Sequence, residues 1–254
     1  MWASVIVCFL VMMCLSTATH AQEETGNATT LDDAGILDRL NDDDFRVRQA
    51  ETRRLLADDA LTQDDVNHLY GLSTSPEQRH RLLLVARHHM ISRLMRERLG
   101  DQAGAGSMGL SHHVVQVAVP GEASARTGVL VVMTLPGFPA YALLEPGDVI
   151  VDFAGEPIPQ NMTPTQFQQM IKTFQNGQAV GLTIVRDGAA AHILFRLGPG
   201  QGLGEVYDTG GVTLNEPYRA GWSQLRAKMR ALVGEGDAVE TEGITADSVA
   251  PATD

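Results

Sequence analysis

Between positions 31 and 100 apolar side chains return every three or four residues, whereas between about 104 and 198 they alternate or come in short runs bounded by Gly, Pro and Asp. The first period is that of a helix face and the second that of a pleated strand. In the helical stretch the acidic triplet Asp42, Asp43 and Asp44 opens a helix on which Phe45, Thr52, Leu55 and Leu56 share a face. Thr62 caps a second, short helix towards Tyr70. Ser75, Pro76 and Gln78 supply an N-cap, a first-turn proline and a capping-box partner for a third helix, which runs to about Leu99 and stops at Gly100. On it Leu84, His88, Ile91 and Met95 form a predicted buried stripe, with Arg79, Arg81, Arg93 and Arg96 on the remaining surface.

The strand-like runs are 114–119, 128–133, 148–153, 180–185 and 192–197, with Arg186, Asp187 and Gly188 turning the last two into a hairpin. One helix interrupts them. Thr163, Pro164 and Gln166 repeat the start signal seen at Ser75, Phe167, Ile171 and Phe174 share one face, and Asn176 and Gly177 end it. The glycine-rich stretch 199–216 reads as a flexible linker, and no Lys-Ser or Lys-Thr follows it to make a phosphate loop. Tyr218, Trp222, Leu225, Met229 and Leu232 recur at steps of four, three, four and three, predicting an amphipathic helix over 217–233. The acidic remainder, 234–254, is poor in large apolar residues and is expected to be disordered.

The string GVLVVMTLPGFPAYALLEPGDVIVDFAGEPI, followed by the helix from Thr163 and by NGQAVGLTIVRDG, resembles a bacterial PDZ domain covering about 104–198. The helices of 31–100 are more weakly similar to HEAT-type hairpins. The fold class implied is α+β: an N-terminal α-helical hairpin module, then a PDZ-like, partly open β-barrel or sandwich with one or two helices. The resemblance also implies a peptide-binding groove between the first strand and the helix from Thr163, with a glycine-containing loop receiving a terminal carboxylate. Carried onto this chain, the loop is Ser107, Met108, Gly109 and Leu110, the strand side continues through Ser111 and His112, and the helix contributes Phe167, Met170, Ile171 and Phe174.

Charge and composition narrow the function. A formal net charge of -12, from 19 basic and 31 acidic residues, sets the chain against phosphate backbones and anionic lipid, so nucleic acid is not an expected partner. An apolar run from Trp2 to Leu15, with small residues at Thr19 and Ala21, reads as a secretory signal over 1–21, followed by a polar linker over 22–30. An uncleaved anchor at 2–19 is the alternative. Both cysteines, Cys8 and Cys14, lie inside this segment, so the mature chain is expected to carry no thiol chemistry.

Candidate chemistry elsewhere is thin. His88 and His89 are adjacent and splay about 100° apart on a helix, so they cannot share a metal ion; His88 falls on the apolar stripe and is expected as a packed core histidine. His112 and His113 point to opposite faces of a strand, a surface position being the expectation and a place in the groove the alternative. Ser107 lacks the glycine two residues before it that a nucleophile elbow needs, and the only lysines, Lys172 and Lys228, fall on amphipathic helices. The expectation is therefore an exported, periplasmic or extracellular protein without catalysis, metal or cofactor, which binds extended or C-terminal peptide segments as an adaptor. The alternatives are an accessory subunit of a separate envelope protease and, third, an enzyme of unknown type using the helical module.

Overall fold

The computed structural model describes residues 32–100, 104–208 and 213–235. The expected signal, the polar linker and nearly all of the acidic tail lie outside these residues. Among the described residues no helix is long and apolar enough to cross a membrane.

Four helices come first: α1 (Asp33–Leu40), α2 (Phe45–Ala57), α3 (Gln63–Leu72) and α4 (Pro76–Leu99). Their starts follow from side chains that satisfy first-turn amides. Asp44 accepts from the amide of Arg46, and Thr62 and Ser75 form full capping boxes with Asp65 and Gln78. At the far end of α4, Gly100 takes φ +61. The buried positions of α4 are wider than one stripe: Leu82, Val85, Ala86, His88, Met90, Ile91 and Met95 are all covered, whereas Leu84 is only half-buried. A helix enclosed on two sides has no single apolar face.

Three expectations fail here for identifiable reasons. Arg81 is not a surface residue: it is 6% exposed and its guanidinium reaches Glu77, Gln49 and Thr52 where α4 crosses α2, so the buried charge is paired and hydrogen-bonded. Phe45 stands 58% exposed at the start of α2, flanked by Arg48 and Arg81. Leu232, the last residue of the C-terminal stripe, is also exposed.

All strands pair antiparallel. A six-stranded sheet runs in the order β2 (Leu110–Val117), β3 (Arg126–Thr134), β4 (Val149–Phe153), β6 (Ala179–Arg186) and β7 (Ala189–Arg196), with β5 (Glu156–Pro157) attached to β4. A separate short pair joins β1 (Gly106–Ser107) to β8 (Gly198–Pro199). Helices plus antiparallel sheet make the chain α+β. The β6–β7 hairpin turns at Asp187 and Gly188, both with positive φ, the geometry that keeps the strand twist through a two-residue turn. Helices α5 (Ala140–Leu143) and α6 (Pro164–Lys172) complete this region, and Val129, Val131, Ile150, Phe153, Phe167, Ile184 and Phe195 fill its core. Asp148, 1% exposed, accepts from the Glu145 amide as its turn requires, and also holds Arg186 by two nitrogens.

The stretch expected as a flexible linker carries structure instead. After β8 come α7 (Gly202–Val206) and a bridge between Tyr207 and Leu214. Tyr207 donates its hydroxyl to the Pro136 carbonyl at 2.8 Å, and Asn215 gathers the carbonyls of Gly204, Glu205 and Tyr207. Its glycines serve close approach rather than freedom: a Cβ on Gly200 would lie 2.6 Å from the Ala105 carbonyl oxygen, and one on Gly202 2.4 Å from Met95 Sδ. The expected C-terminal helix is α8 (Glu216–Leu232), which buries Tyr218, Trp222 and Met229 against α3 and α4.

Candidate functional site

Among the described residues strand β2 ends the sheet, so one of its edges has no strand partner there. Helix α6 lies beside that edge, and the space left between them is a cleft of about 270 Å³. Gly106, Ser107, Met108, Gly109, Leu110 and His112 line it from the strand side. From α6 come Gln168, Ile171 and Lys172, and from the segment around α7 come Gly200 and Leu203.

The turn at Gly109 on the cleft wall is fixed by local chemistry. Gly109 takes φ +70, a conformation that glycine adopts without steric cost, and a Cβ there would lie 2.1 Å from Phe138 Cβ. Its amide donates to Ser107 Oγ at 3.2 Å, while Met108 and Gly109 give their carbonyls to the amides of Ala140 and Leu135. Ser107, buried and accepting this bond, is a turn-forming residue. The pairing then decides where the next amide points. The Leu135 amide donates to the Gly109 carbonyl, the kind of bond that flanks an unbonded pair, and Leu110 stands opposite Thr134. Bonded and unbonded pairs alternate in an antiparallel ladder, so the Leu110 amide is directed away from β3, to the open edge.

His112 lies in the cleft lining, the position carried over from the resemblance, and not at the surface position that the strand pattern alone favoured. Along β2 the faces alternate without interruption, so His112, 8% exposed, shares the cleft face with Leu110 while Ser111 is exposed outside the lining. The register shift opposite Ser111 and His112 leaves its extra residue, Val132, on β3. Its Nε2 lies 3.3 Å from the Pro164 carbonyl at the start of α6, and its ring meets Phe167 edge-on at 5.2 Å. Burial pushes its pKa below the usual 6.5, against the opposing pull of the Pro164 carbonyl. His113 faces the other way and is exposed.

Of the helix residues expected in the groove, Ile171 alone lines it. Phe167 is fully buried beneath His112, and Met170 and Phe174 pack on the core. The helical period explains the division within α6: Gln168 and Lys172, four apart, share a stripe turned to the cleft, while Phe167 and Met170, three apart, share the one turned inward; Phe174 lies beyond the helix end. That polar stripe was legible in the spacing. The contribution of Gly200 and Leu203 was not, because it depends on a contact some ninety residues away along the chain from β2. Among the described residues no cluster of three or more metal-ligating side chains occurs.

No family model matches this chain, and no curated protein matches it. Solved structures do. The HtrA-type protease AlgW, with decapeptide, is similar at 19% identity and a TM-score of 0.29, over 42% of this chain and 33% of its own. A single-residue variant of the same protease, with decapeptide, gives 18% identity and a TM-score of 0.30 over the same shares. This chain spans about a third of the length of the structures it matches.

Proposed function

We propose that this chain is an exported, non-catalytic, PDZ-like adaptor that takes an extended peptide as an added strand along β2, under α6. The observation that carries the reading is the cleft itself: an edge strand whose pairing directs the Leu110 amide outward, apolar walls from Met108, Leu110, Ile171 and Leu203, and a glycine turn at Gly109 in the lining. Backbone bonds along the edge would give affinity and the apolar pocket would give selectivity for one side chain. With the Gly109 amide taken by Ser107, the Leu110 amide is the next donor along the strand from that turn.

The test is to screen the purified protein against a library of free C-terminal peptides, and then to titrate the best binders into a Leu203→Trp variant. Leu203 is half-buried on the cleft wall, so the larger ring should fill the pocket without entering the core. Binders are expected to lose at least about tenfold in affinity, the order of one well-placed contact, while the thermal midpoint stays put. A library without binders, or binders indifferent to the substitution, would sink the proposal.

A further inference from the structure

The charge of the cleft runs against the charge of the chain. The protein is strongly acidic, with a formal net charge of -12, yet its cleft lining includes no carboxylate. It does include one cation, Lys172, at the last turn of α6 beside Ile171. Lysine is scarce here, since Lys172 and Lys228 are the only two. Among the described residues the Lys172 side chain has no hydrogen-bond or ion-pair partner, and the residue is exposed. A cation at a helix C-terminus interacts favourably with the last carbonyls, but that role asks nothing of a ligand.

We infer that Lys172 is a specificity-determining residue that selects peptides presenting a carboxylate next to the apolar side chain held by Met108, Ile171 and Leu203. The inference rests on the peptide-binding reading and narrows its ligand class. Gln168, one turn before Lys172 on the same stripe, adds a neutral donor and acceptor along the wall, whereas an acidic residue there would have tied the ammonium down. A carboxylate reaching Lys172 has two sources, the peptide terminus or an Asp or Glu side chain near it, and both offer the same oxygens to the same cation.

Four fluorescein-labelled heptapeptides ending in valine separate these sources: free or amidated at the terminus, each with glutamate or glutamine at the third position from the end. They are titrated by fluorescence anisotropy into the full chain, Lys172→Gln and Lys172→Arg. Lys172→Gln is expected to weaken the carboxylate-bearing peptides about three- to tenfold, between an exposed ion pair and a desolvated charge-assisted bond. The amidated glutamine peptide should bind both proteins equally, and Lys172→Arg should restore the preference. A penalty that tracks the terminal group assigns the carboxylate to the peptide end, and one that tracks glutamate assigns it to the side chain. Equal affinity of all four peptides for Lys172→Gln and the original chain overturns the inference while leaving peptide binding intact. Failure of every peptide to bind the original chain overturns peptide binding, and the inference with it.

Discussion

Where α4 meets the loop from Leu135 to Pro139, even the space of a methyl group is taken, whereas between α6 and β2 about 270 Å³ stays open. Each place has a histidine bonded to a backbone group, which makes them comparable. His88 Nδ1 accepts the Gly137 amide at 3.0 Å, and its ring lies on Tyr141 with centroids 5.5 Å apart and planes 13° from parallel. That bond fixes the tautomer, with the proton on Nε2. Phe138 is fully buried beside it. His112 also bonds a backbone group, the Pro164 carbonyl, but one side of its ring borders the cleft. The difference lies in the surrounding polar groups. At the α4 contact the Gly137 amide and His88 Nδ1 satisfy each other, so the contact belongs to the fold. Along β2 the Leu110 amide still points outward, which leaves work for a ligand.

The closed side breaks hardest at Gly137. Its φ is +86, and a Cβ there would stand 2.3 Å from Ile91 Cγ2 and 3.4 Å from the Ser92 amide nitrogen on α4. Gly137→Ala combines left-handed strain with overpacking, so it should cost about 3 to 5 kcal/mol. A shift of the urea midpoint measures it. A variant within about 0.5 kcal/mol of the original, the range of an ordinary surface change, would mean that α4 does not press on this loop.

A smaller effect separates the two histidines by pH. Burial, helped by His89 and Arg96, pushes the His88 pKa down to about 3 from 6.5. As pH falls, the unfolded chain takes up the proton first. The stability that neutral His88 confers is therefore complete above pH 6.5 and drains away as pH drops towards 3, by at most about 1.4 kcal/mol per pH unit. His88→Asn keeps an acceptor for the Gly137 amide and cannot titrate. Between pH 6 and 4.5 the original chain should lose about 2 kcal/mol more than the variant. Parallel stability curves would mean that His88 is not sealed in the folded state.

How much of this could be read from the sequence follows the same division. Local signals were dependable: the capping residues Thr62, Ser75 and Thr163, the turn at Asp187 and Gly188, and the core position of His88 are set by neighbours within a turn or two of chain. Long-range contacts were not visible. Gly200 and Gly202 look like flexibility in composition, yet they are small because Ala105 and Met95 press against them. His112 is split between the two kinds of signal: alternation puts it on the cleft face with Leu110, but the cover that buries its ring comes from Pro164 and Phe167, some fifty residues further along the chain. For the cleft, the strand-side residues from Ser107 to Leu110, together with Ile171, were legible. The polar stripe of Gln168 and Lys172 shows in the spacing, but polar side chains on a helix ordinarily face solvent, so nothing local turns that stripe towards a cleft.

The smallest expected effect is the sharpest separation of cleft from fold. Gln168 lines the cleft from an exposed position on α6, and neither the core nor the capping box of that helix includes it. Alanine is a good helix former, so Gln168→Ala keeps the helix and removes only the side-chain amide from the wall. Stability should change by no more than about 0.5 kcal/mol, the usual range for a surface position. Affinity for a cleft-bound peptide should fall by about 0.5 to 1.5 kcal/mol if the peptide bonds that amide, since this is the net worth of one neutral hydrogen bond. A thermal melt and a titration on the same preparation read the two quantities side by side. A change in the melt that matched or exceeded the change in binding would place Gln168 in the fold, and the contrast between a filled face at α4 and an open one at α6 would lose its basis.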